Sequence, residues 1–222
     1  MEDLKEIYII ISQTATKFGY VLRKVGRVKY NHAAIALDAE LKEWYSFARK
    51  QHKTALIGGM VKESVERYTL RKRSHVEVTI FRIPVTNAQY LQLQRRINRI
   101  KQDDEYKYNL FSVLTYPVTK GFSVYKAYSC IEFVMSMLKG VGYELQKPAP
   151  QYTPDDLLQI FEKYIWFQGN LLEYKPLYGR DDAYFEAIEW KQYIQSGVEL
   201  GEVIKRSLST LFEVHGMRKL VG

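Results

Sequence analysis

The chain contains a single cysteine, Cys130, in 222 residues, so no disulfide can form within it. This scarcity is typical of a reducing compartment. Long hydrophobic runs are also missing, because the aliphatic stretch Ile9 to Ile11 falls far short of the roughly 20 residues that span a bilayer. The acidic start, Met1 to Asp3, does not have the positive charge of a signal peptide. These absences predict a cytoplasmic protein with no transmembrane segment.

Several sequence patterns of known chemistry are absent. No group of cysteine and histidine residues has the spacing of a zinc site, and no glycine-rich loop follows a predicted strand as a phosphate-binding loop does. The Gly-x-Ser-x-Gly motif of serine hydrolases does not occur. Paired aspartates at 155–156 and 181–182 each begin a predicted helix, where capping explains them. The sequence therefore predicts no metal and no cofactor.

Negative charge is in deficit, because 33 lysines and arginines face 25 acidic residues and give a formal net charge of +8. The excess is concentrated at 71–73 and 95–101. One interpretation is a basic surface for anionic lipid or nucleic acid, centred on a predicted helix with Arg95, Arg96 and Arg99. The alternative is a solvated helix face with a basic bias, since each cluster holds only a handful of charges.

Short β-branched and apolar runs, separated by turns, fill the first part of the chain. Ile7 to Ser12 and Val76 to Ile83 predict strands, and Pro84 is expected to end the second. A run from Tyr30 to Asp38 and another from Glu43 to Ala48, joined by a polar turn, predict a β-hairpin.

Two further stretches have weaker patterns. Met60 to Ser74 alternates poorly and is highly charged, which indicates an exposed excursion or an edge hairpin. Tyr164 to Tyr174 alternates about a central glycine and indicates a small hairpin.

Helices are predicted where apolar residues recur three and four positions apart. One helix is capped by Asn87 and carries the basic cluster on its polar face. A second begins at Cys130 and ends near Gly140. From Asp181 the pattern is helical and includes Ile188 among its apolar positions. We therefore predict a domain at 1–179 and a helical extension at 180–222, and one interpretation of the apolar stripes of this extension is an oligomer interface.

Cys130 is the candidate nucleophile. The first turn of a helix and a nearby imidazole each lower the pKa of a thiol, and backbone N–H groups there can hold an oxyanion. Of the four histidines, only His32 opens a buried-looking strand, because His52 and His75 lie in charged surroundings and His215 lies near a polar terminus. The alternative is that Cys130 is a small core hydrophobe and His32 an ordinary core residue.

The order and surroundings of these two motifs carry a family resemblance. The run Asn31 to Asp38, followed by Trp44 to Phe47, resembles the histidine-bearing hairpin of the permuted papain-like superfamily. The run Cys130 to Val134 is similar to the Cys-Ser/Thr-Glu-Phe-Val helix start of that group, except that Ile131 replaces the small hydroxyl residue. The superfamily includes NlpC-like cell-wall peptidases, and its permuted branch contains YiiX-like proteins and lecithin–retinol acyltransferase relatives. Its permuted members place histidine before cysteine, as here, and the resemblance covers roughly residues 5 to 160.

The resemblance implies an α+β fold, circularly permuted and papain-like, in which the cysteine-bearing helix packs on an antiparallel sheet. It also implies a cysteine-dependent hydrolase or acyltransferase that cleaves an amide, thioester or ester bond of a peptide- or lipid-like substrate. Cys130 would form the acyl-enzyme, and His32 would act as general base and then as general acid.

The third catalytic residue of this family orients the imidazole from the second hairpin strand, and counting along the hairpin assigns that position to Ser46. A serine accepts a hydrogen bond from the ring but adds no negative charge. Glu43 is a second candidate, but strand alternation turns it to the other side. Thr14 and Tyr128 are open candidates for oxyanion assistance. The uncharged third position also leaves open a catalytically weak or inactive binding module of the same fold.

Overall fold

The computed structural model describes residues 4–54, 57–72, 75–177, 179, 182–187 and 189–220. Its strands are β1 (Leu4–Ser12), β2 (His32–Ala36), β3 (Trp44–Arg49), β4 (Gly58–Lys62), β5 (Glu77–Thr86), β6 (Lys107–Tyr108), β7 (Ala127–Tyr128) and β8 (Ile165–Asn170). Six strands form one antiparallel sheet in the order β4-β3-β2-β1-β5-β8, and β6 pairs with β7 in parallel.

The helices are α1 (Lys17–Gly26), α2 (Val65–Thr69), α3 (Asn87–Lys101), α4 (Leu110–Thr119), α5 (Cys130–Gly140), α6 (Asp156–Ile160), α7 (Leu171–Tyr174), α8 (Asp182–Phe185) and α9 (Trp190–Leu220). Short 3-10 turns lie at Ala149–Gln151 and Glu162–Tyr164. The fold is therefore α+β, with helices packed on an antiparallel sheet. Within the described ranges, no helix combines the length and apolar character needed to cross a membrane.

The sheet has an apolar core on each of its faces. Alternate residues of the central strand β1 point to opposite faces, so that Ile7, Ile9 and Ile11 pack with residues of α3 and α5. Tyr8 and Ile10 join the second core, to which α2 and α7 contribute. Strand β1 is buried on both faces, which explains its continuous β-branched run.

The structure confirms the first predicted strand and the hairpin, in which Ile35 is opposite Tyr45. The predicted end of β5 at Pro84 is wrong, because the strand continues to Thr86. Strand β8 pairs with β5 only as far as Phe81, whereas β1 pairs with β5 as far as Thr86. At Pro84 the strand therefore has one neighbour, and a missing N–H is tolerated on its open side.

The stretch at 60–74, predicted as an exposed excursion or an edge hairpin, instead contributes to β4 and the buried helix α2. Val65 and Tyr68 pack in the second core, which holds this charged stretch against the sheet. The predicted hairpin at 164–174 is also wrong, because β8 pairs with β5 and then enters α7. The Asn170 side chain accepts the Leu172 N–H and so begins that helix.

Helix α3 differs from its prediction in two details. Its cap is Thr86 rather than Asn87, because the Thr86 hydroxyl accepts the Gln89 N–H in a complete capping box. Arg96, one of the three arginines of the predicted basic surface, donates to the backbone and side-chain oxygens of Ser136 in α5 at 2.8 and 2.7 Å. Arg95 and Arg99 are exposed.

The predicted boundary at 179 is followed by α8 and α9. The exposed apolar residues Trp190, Ile194 and Val198 lie on α9, and their role in an oligomer interface stays a prediction. Ile188, an apolar position of the predicted extension, lies outside the described residues.

The turn after α4 leads to a stability prediction. Gly121 has a φ of +84°, and a Cβ at this position would lie 2.1 Å from the Pro150 carbonyl oxygen. Gly121→Ala is therefore expected to lower the free energy of unfolding by about 3 kcal/mol, measured by urea titration. Gly201→Ala is the control, because nothing lies within 4 Å of its Cβ position and alanine favours a helix by about 1 kcal/mol. Equal effects of the two substitutions would contradict the prediction.

Candidate active site

Helix α5 begins at Cys130 because the residues around it form a capping box. The Ser129 hydroxyl accepts the Glu132 N–H at 3.2 Å, and the Glu132 carboxylate accepts the Ser129 N–H at 3.4 Å. These bonds satisfy two of the free N–H groups at the helix end and place Cys130 at the first helical position. The sequence prediction of this helix start is confirmed.

The Cys130 thiol is buried and meets three polar groups. The His32 imidazole and the backbone N–H groups of Ala33 and Ile131 lie close enough to its sulfur to act on the pKa of the thiol. Burial alone raises the pKa of a thiol, but the imidazole and the two N–H groups outweigh it here and lower the pKa below its ordinary value of 9.0. The thiolate is therefore stabilised by the charge of the imidazole and by the two nearby backbone N–H groups.

His32 is the first residue of β2 and is also buried. Its Nε2 lies 2.8 Å from Oε1 of Glu63, which leaves Nδ1 as the ring nitrogen available to Cys130. Burial acts to lower the pKa of the imidazole, but the neighbouring Cys130 thiolate and the Glu63 carboxylate raise it to about 10. The ring is thus held between an acidic thiol and a carboxylate.

Glu63 is the acidic member of this group and lies between β4 and α2. One carboxylate oxygen contacts His32 and accepts the Ser46 hydroxyl, and the other lies 3.0 Å from Nε of Arg67. Burial acts to raise the pKa of Glu63, but the Arg67 charge, together with His32 and Ser46, lowers it to about 2. Glu63 is therefore ionised throughout the neutral range.

The structure brings the three predicted residues Cys130, His32 and Ser46 together, but it gives Ser46 a different contact. Its hydroxyl donates to Glu63, and Glu63 is the group that contacts the ring. Glu43, the second candidate, is exposed and bonds to Lys62 at 3.0 Å.

Sequence reasoning missed Glu63 because it assigned the surrounding stretch to an exposed excursion or an edge hairpin. Ser46 is opposite Val61 in the β3–β4 pair, and the Glu63 N–H donates to the Trp44 carbonyl. Glu63 thus lies two residues beyond Val61 on the face that Ser46 occupies. A local signal was present, since Ser64 caps α2 and Glu63 and Arg67 form an i,i+4 ion pair.

Two cavities flank the candidate site. A groove of about 170 Å³ has Cys130 in its wall and is otherwise mostly apolar. Helices α1 and α4 form its sides, through Val21, Leu22, Val113, Leu114 and Pro117. On the His32 side lies a smaller polar cavity of about 70 Å³, lined among others by Thr14, Asn31, His32, Glu63, Tyr68 and Tyr184.

The two candidates for oxyanion assistance have different surroundings. Thr14 lines the polar cavity, where its hydroxyl accepts a hydrogen bond from Nδ2 of Asn31 at 2.7 Å. The ring of Tyr128 packs against the rings of Phe47, Tyr106 and Phe133. Asn31 lines both cavities and is a polar group that the sequence prediction did not assign to the site.

Glu132 is a second buried carboxyl near Cys130. Burial raises its pKa to about 7, although Ser123 and Ser129 donate hydrogen bonds to it. Because the folded pKa exceeds the ordinary 4.5, the folded state binds more protons between these values and loses stability as pH rises through them.

Replacing Glu132 with glutamine is expected to remove this pH dependence. Relative to Glu132→Gln, the wild-type free energy of unfolding should fall by about 3 kcal/mol between pH 4 and pH 8. Urea titrations at four pH values measure the difference, and Glu144→Gln on the surface serves as the control. A difference that stays constant with pH would contradict the prediction.

Within the described ranges, no group of three or more histidine, cysteine, aspartate or glutamate residues is arranged to hold a metal ion. Searches of protein-family models, of curated proteins and of solved structures gave no match to this chain.

Proposed function

We propose that the chain is a cysteine-dependent hydrolase or acyltransferase with a circularly permuted papain-like fold. The observation that carries this proposal is the buried series Cys130, His32 and Glu63, in which a thiol at a helix N-terminus meets an imidazole held by a carboxylate. The backbone N–H groups of Ala33 and Ile131 add to the stabilisation of the thiolate. A thiol with a lowered pKa, a base and an orienting acid are the parts that nucleophilic acyl transfer needs.

The reaction proceeds in two steps. The Cys130 thiolate attacks the carbonyl carbon of an amide, thioester or ester and forms a thioester bond, while the His32 imidazolium protonates the leaving group. Water or another acceptor then attacks the thioester as His32 takes up its proton, which releases the acyl product and restores the thiolate. Glu63 holds the ring and stabilises its positive charge in each resting state.

The apolar lining of the groove beside Cys130 favours the binding of a substrate whose acyl group is apolar. Burying each methylene group contributes about 0.8 kcal/mol, so a chain of several carbons binds better than acetate. An apolar peptide side chain and a lipid acyl chain share this chemistry, and both fit an acyl-enzyme on Cys130.

The test uses p-nitrophenyl acetate, butyrate and octanoate as acyl donors. We expect intact-protein mass spectrometry to detect the acyl group on the wild-type chain, at higher occupancy for butyrate and octanoate than for acetate. Cys130→Ala is the control and should acquire no adduct, while its far-ultraviolet circular dichroism stays native. An absence of adduct on the wild-type chain, or an equal adduct on Cys130→Ala, would overturn the proposal.

The inactive binding module is the weaker alternative. It was motivated by an uncharged serine at the orienting position, whereas Glu63 supplies a charged group there. Arg95 and Arg99 are exposed, so binding of an anionic partner stays a separate prediction that does not depend on catalysis.

A further inference from the structure

Arg67 is a buried cation on the side of Glu63 that faces away from His32. Only 8% of its surface is exposed, and its Nε lies 3.0 Å from Oε2 of Glu63. Its Nη2 donates to the Arg49 carbonyl oxygen at 2.6 Å. These two contacts hold the guanidinium by one edge. Water is excluded from its flat face only if another group packs against that face.

That neighbour comes from the C-terminal part of the chain, beyond the predicted boundary at 179. The ring of Tyr184 in α8 lies with its centroid 4.0 Å from the guanidinium carbon of Arg67. Tyr184 is only 4% exposed, and its carbonyl accepts the His52 N–H at 2.8 Å. Its hydroxyl accepts from Nη2 of Arg49 at 3.4 Å. Helix α8 is thus attached to the catalytic half of the chain at several points.

The position of this ring affects the charges of the site. An aromatic face attracts a cation and, by displacing water, strengthens the attraction between Arg67 and Glu63. A carboxylate held in this way contacts one edge of the His32 ring and fixes its orientation toward Cys130. Tyr184 also lines the polar cavity together with His32 and Glu63, so α8 forms one wall of the site.

We propose that Tyr184 is a positioning residue of the active site, acting through Arg67 and Glu63 on His32, so that the C-terminal extension completes the site. This inference rests on the proposed function, because it assigns Tyr184 a role in preparing the Cys130 thiolate. In this proposal the extension contributes a part of the site that neither the hairpin nor the cysteine helix provides.

The adjacent residue provides a matched control. The ring of Phe185 lies 4.1 Å from the guanidinium carbon of Arg71, so the same short helix makes two contacts of one type. Arg71 is exposed and lies four residues beyond Arg67 in the chain. The Phe185 ring also packs against the Tyr184 ring, with centroids 5.0 Å apart, so Phe185→Leu tests a loss of packing in α8 that keeps the ring covering Arg67.

The experiment measures the rate of iodoacetamide alkylation at Cys130 from pH 5 to pH 10 in the full chain. Because Cys130 is the only cysteine, the label reports on this site alone. We expect Tyr184→Leu to raise the apparent thiol pKa by about half to one unit and to lower the rate at pH 6 about three- to tenfold. Tyr184→Phe, which keeps the ring, should remain within about twofold of wild type, as should Phe185→Leu.

Several results would overturn the inference. One is a Tyr184→Leu profile equal to that of wild type, and another is an equal shift in Phe185→Leu. Circular dichroism verifies folding, and Tyr184→Met repeats the test with another apolar side chain if the leucine variant unfolds. A third such result is that Tyr184→Leu and Tyr184→Met both fail to fold while Tyr184→Phe folds, because the Tyr184 ring then acts on stability alone. A wild-type thiol with an ordinary pKa would contradict the proposed function itself, which separates the two failures.

Discussion

Glu63→Gln is expected to destabilise the fold and to weaken the Cys130 thiolate. Glutamine keeps the shape of the side chain but removes the charge that faces both Arg67 and His32. Leaving a buried cation without its partner lowers the free energy of unfolding by about 3 to 5 kcal/mol. The imidazolium also loses its counter-charge, so the alkylation rate of Cys130 at pH 6 should fall at least about tenfold.

Glu43→Gln is the matched control for this substitution. Glu43 is an exposed glutamate paired with Lys62, and such surface pairs contribute at most about 1 kcal/mol. Urea titration and alkylation should show both effects in Glu63→Gln and neither in Glu43→Gln. Similar unfolding midpoints for the two variants would contradict a buried role for Glu63.

The pH dependence of stability provides an independent check on Glu63. The folded pKa is lowered to about 2 from an ordinary value of 4.5, so the stabilisation is fully present above pH 4.5. It is lost as pH falls through the folded pKa, because protonation removes the charge beside Arg67. The difference in unfolding free energy between wild type and Glu63→Gln should therefore shrink from pH 5 toward pH 2.

His32→Ala is expected to have the largest effect on reactivity. Without the imidazole, the buried Cys130 thiol loses the main group that lowers its pKa, which should return to about 9 or above. Since thiolate is the reactive form and each pKa unit changes its fraction tenfold, alkylation at pH 6 should slow by about 100-fold or more. At pH 10 the two proteins should react at rates within about tenfold of each other.

His75→Ala is the control for this result. His75 is exposed, and its Nε2 lies 3.1 Å from a carboxylate oxygen of Glu77 in β5. Its removal should leave the alkylation rate at pH 6 within about threefold of wild type. A His32→Ala rate at pH 6 equal to that of wild type would show that the imidazole does not stabilise the thiolate.

Much of the local structure follows from residues close together in the chain. Ser129 and Glu132 form the capping box that begins α5 at Cys130, and this start was predicted from the sequence. The hairpin that begins at His32 was likewise predicted, because alternation and a polar turn specify two neighbouring strands. In the structure the start of this helix and the start of this hairpin bring Cys130 and His32 close together, and their roles as nucleophile and base stay a prediction.

The remaining parts depend on contacts between distant segments. Glu63 reaches His32 only because β4 pairs with β3 in one register, which brings together residues that are 31 positions apart. The apolar groove requires α1, α4 and α5 to meet, and Tyr184 reaches Arg67 from the far end of the chain.

The sequence by itself determined where the cysteine-bearing helix and the histidine-bearing hairpin begin, since capping and alternation act over a few residues. Only the tertiary structure decided which carboxylate contacts the imidazole and which ring covers the arginine beside that carboxylate. The physical reason is burial. A charged residue such as Glu63 is predicted from the sequence to be exposed until the partners that neutralise it are known. Arg67, Ser46 and His32 together make burial of that charge favourable, and they come from three different elements of the fold.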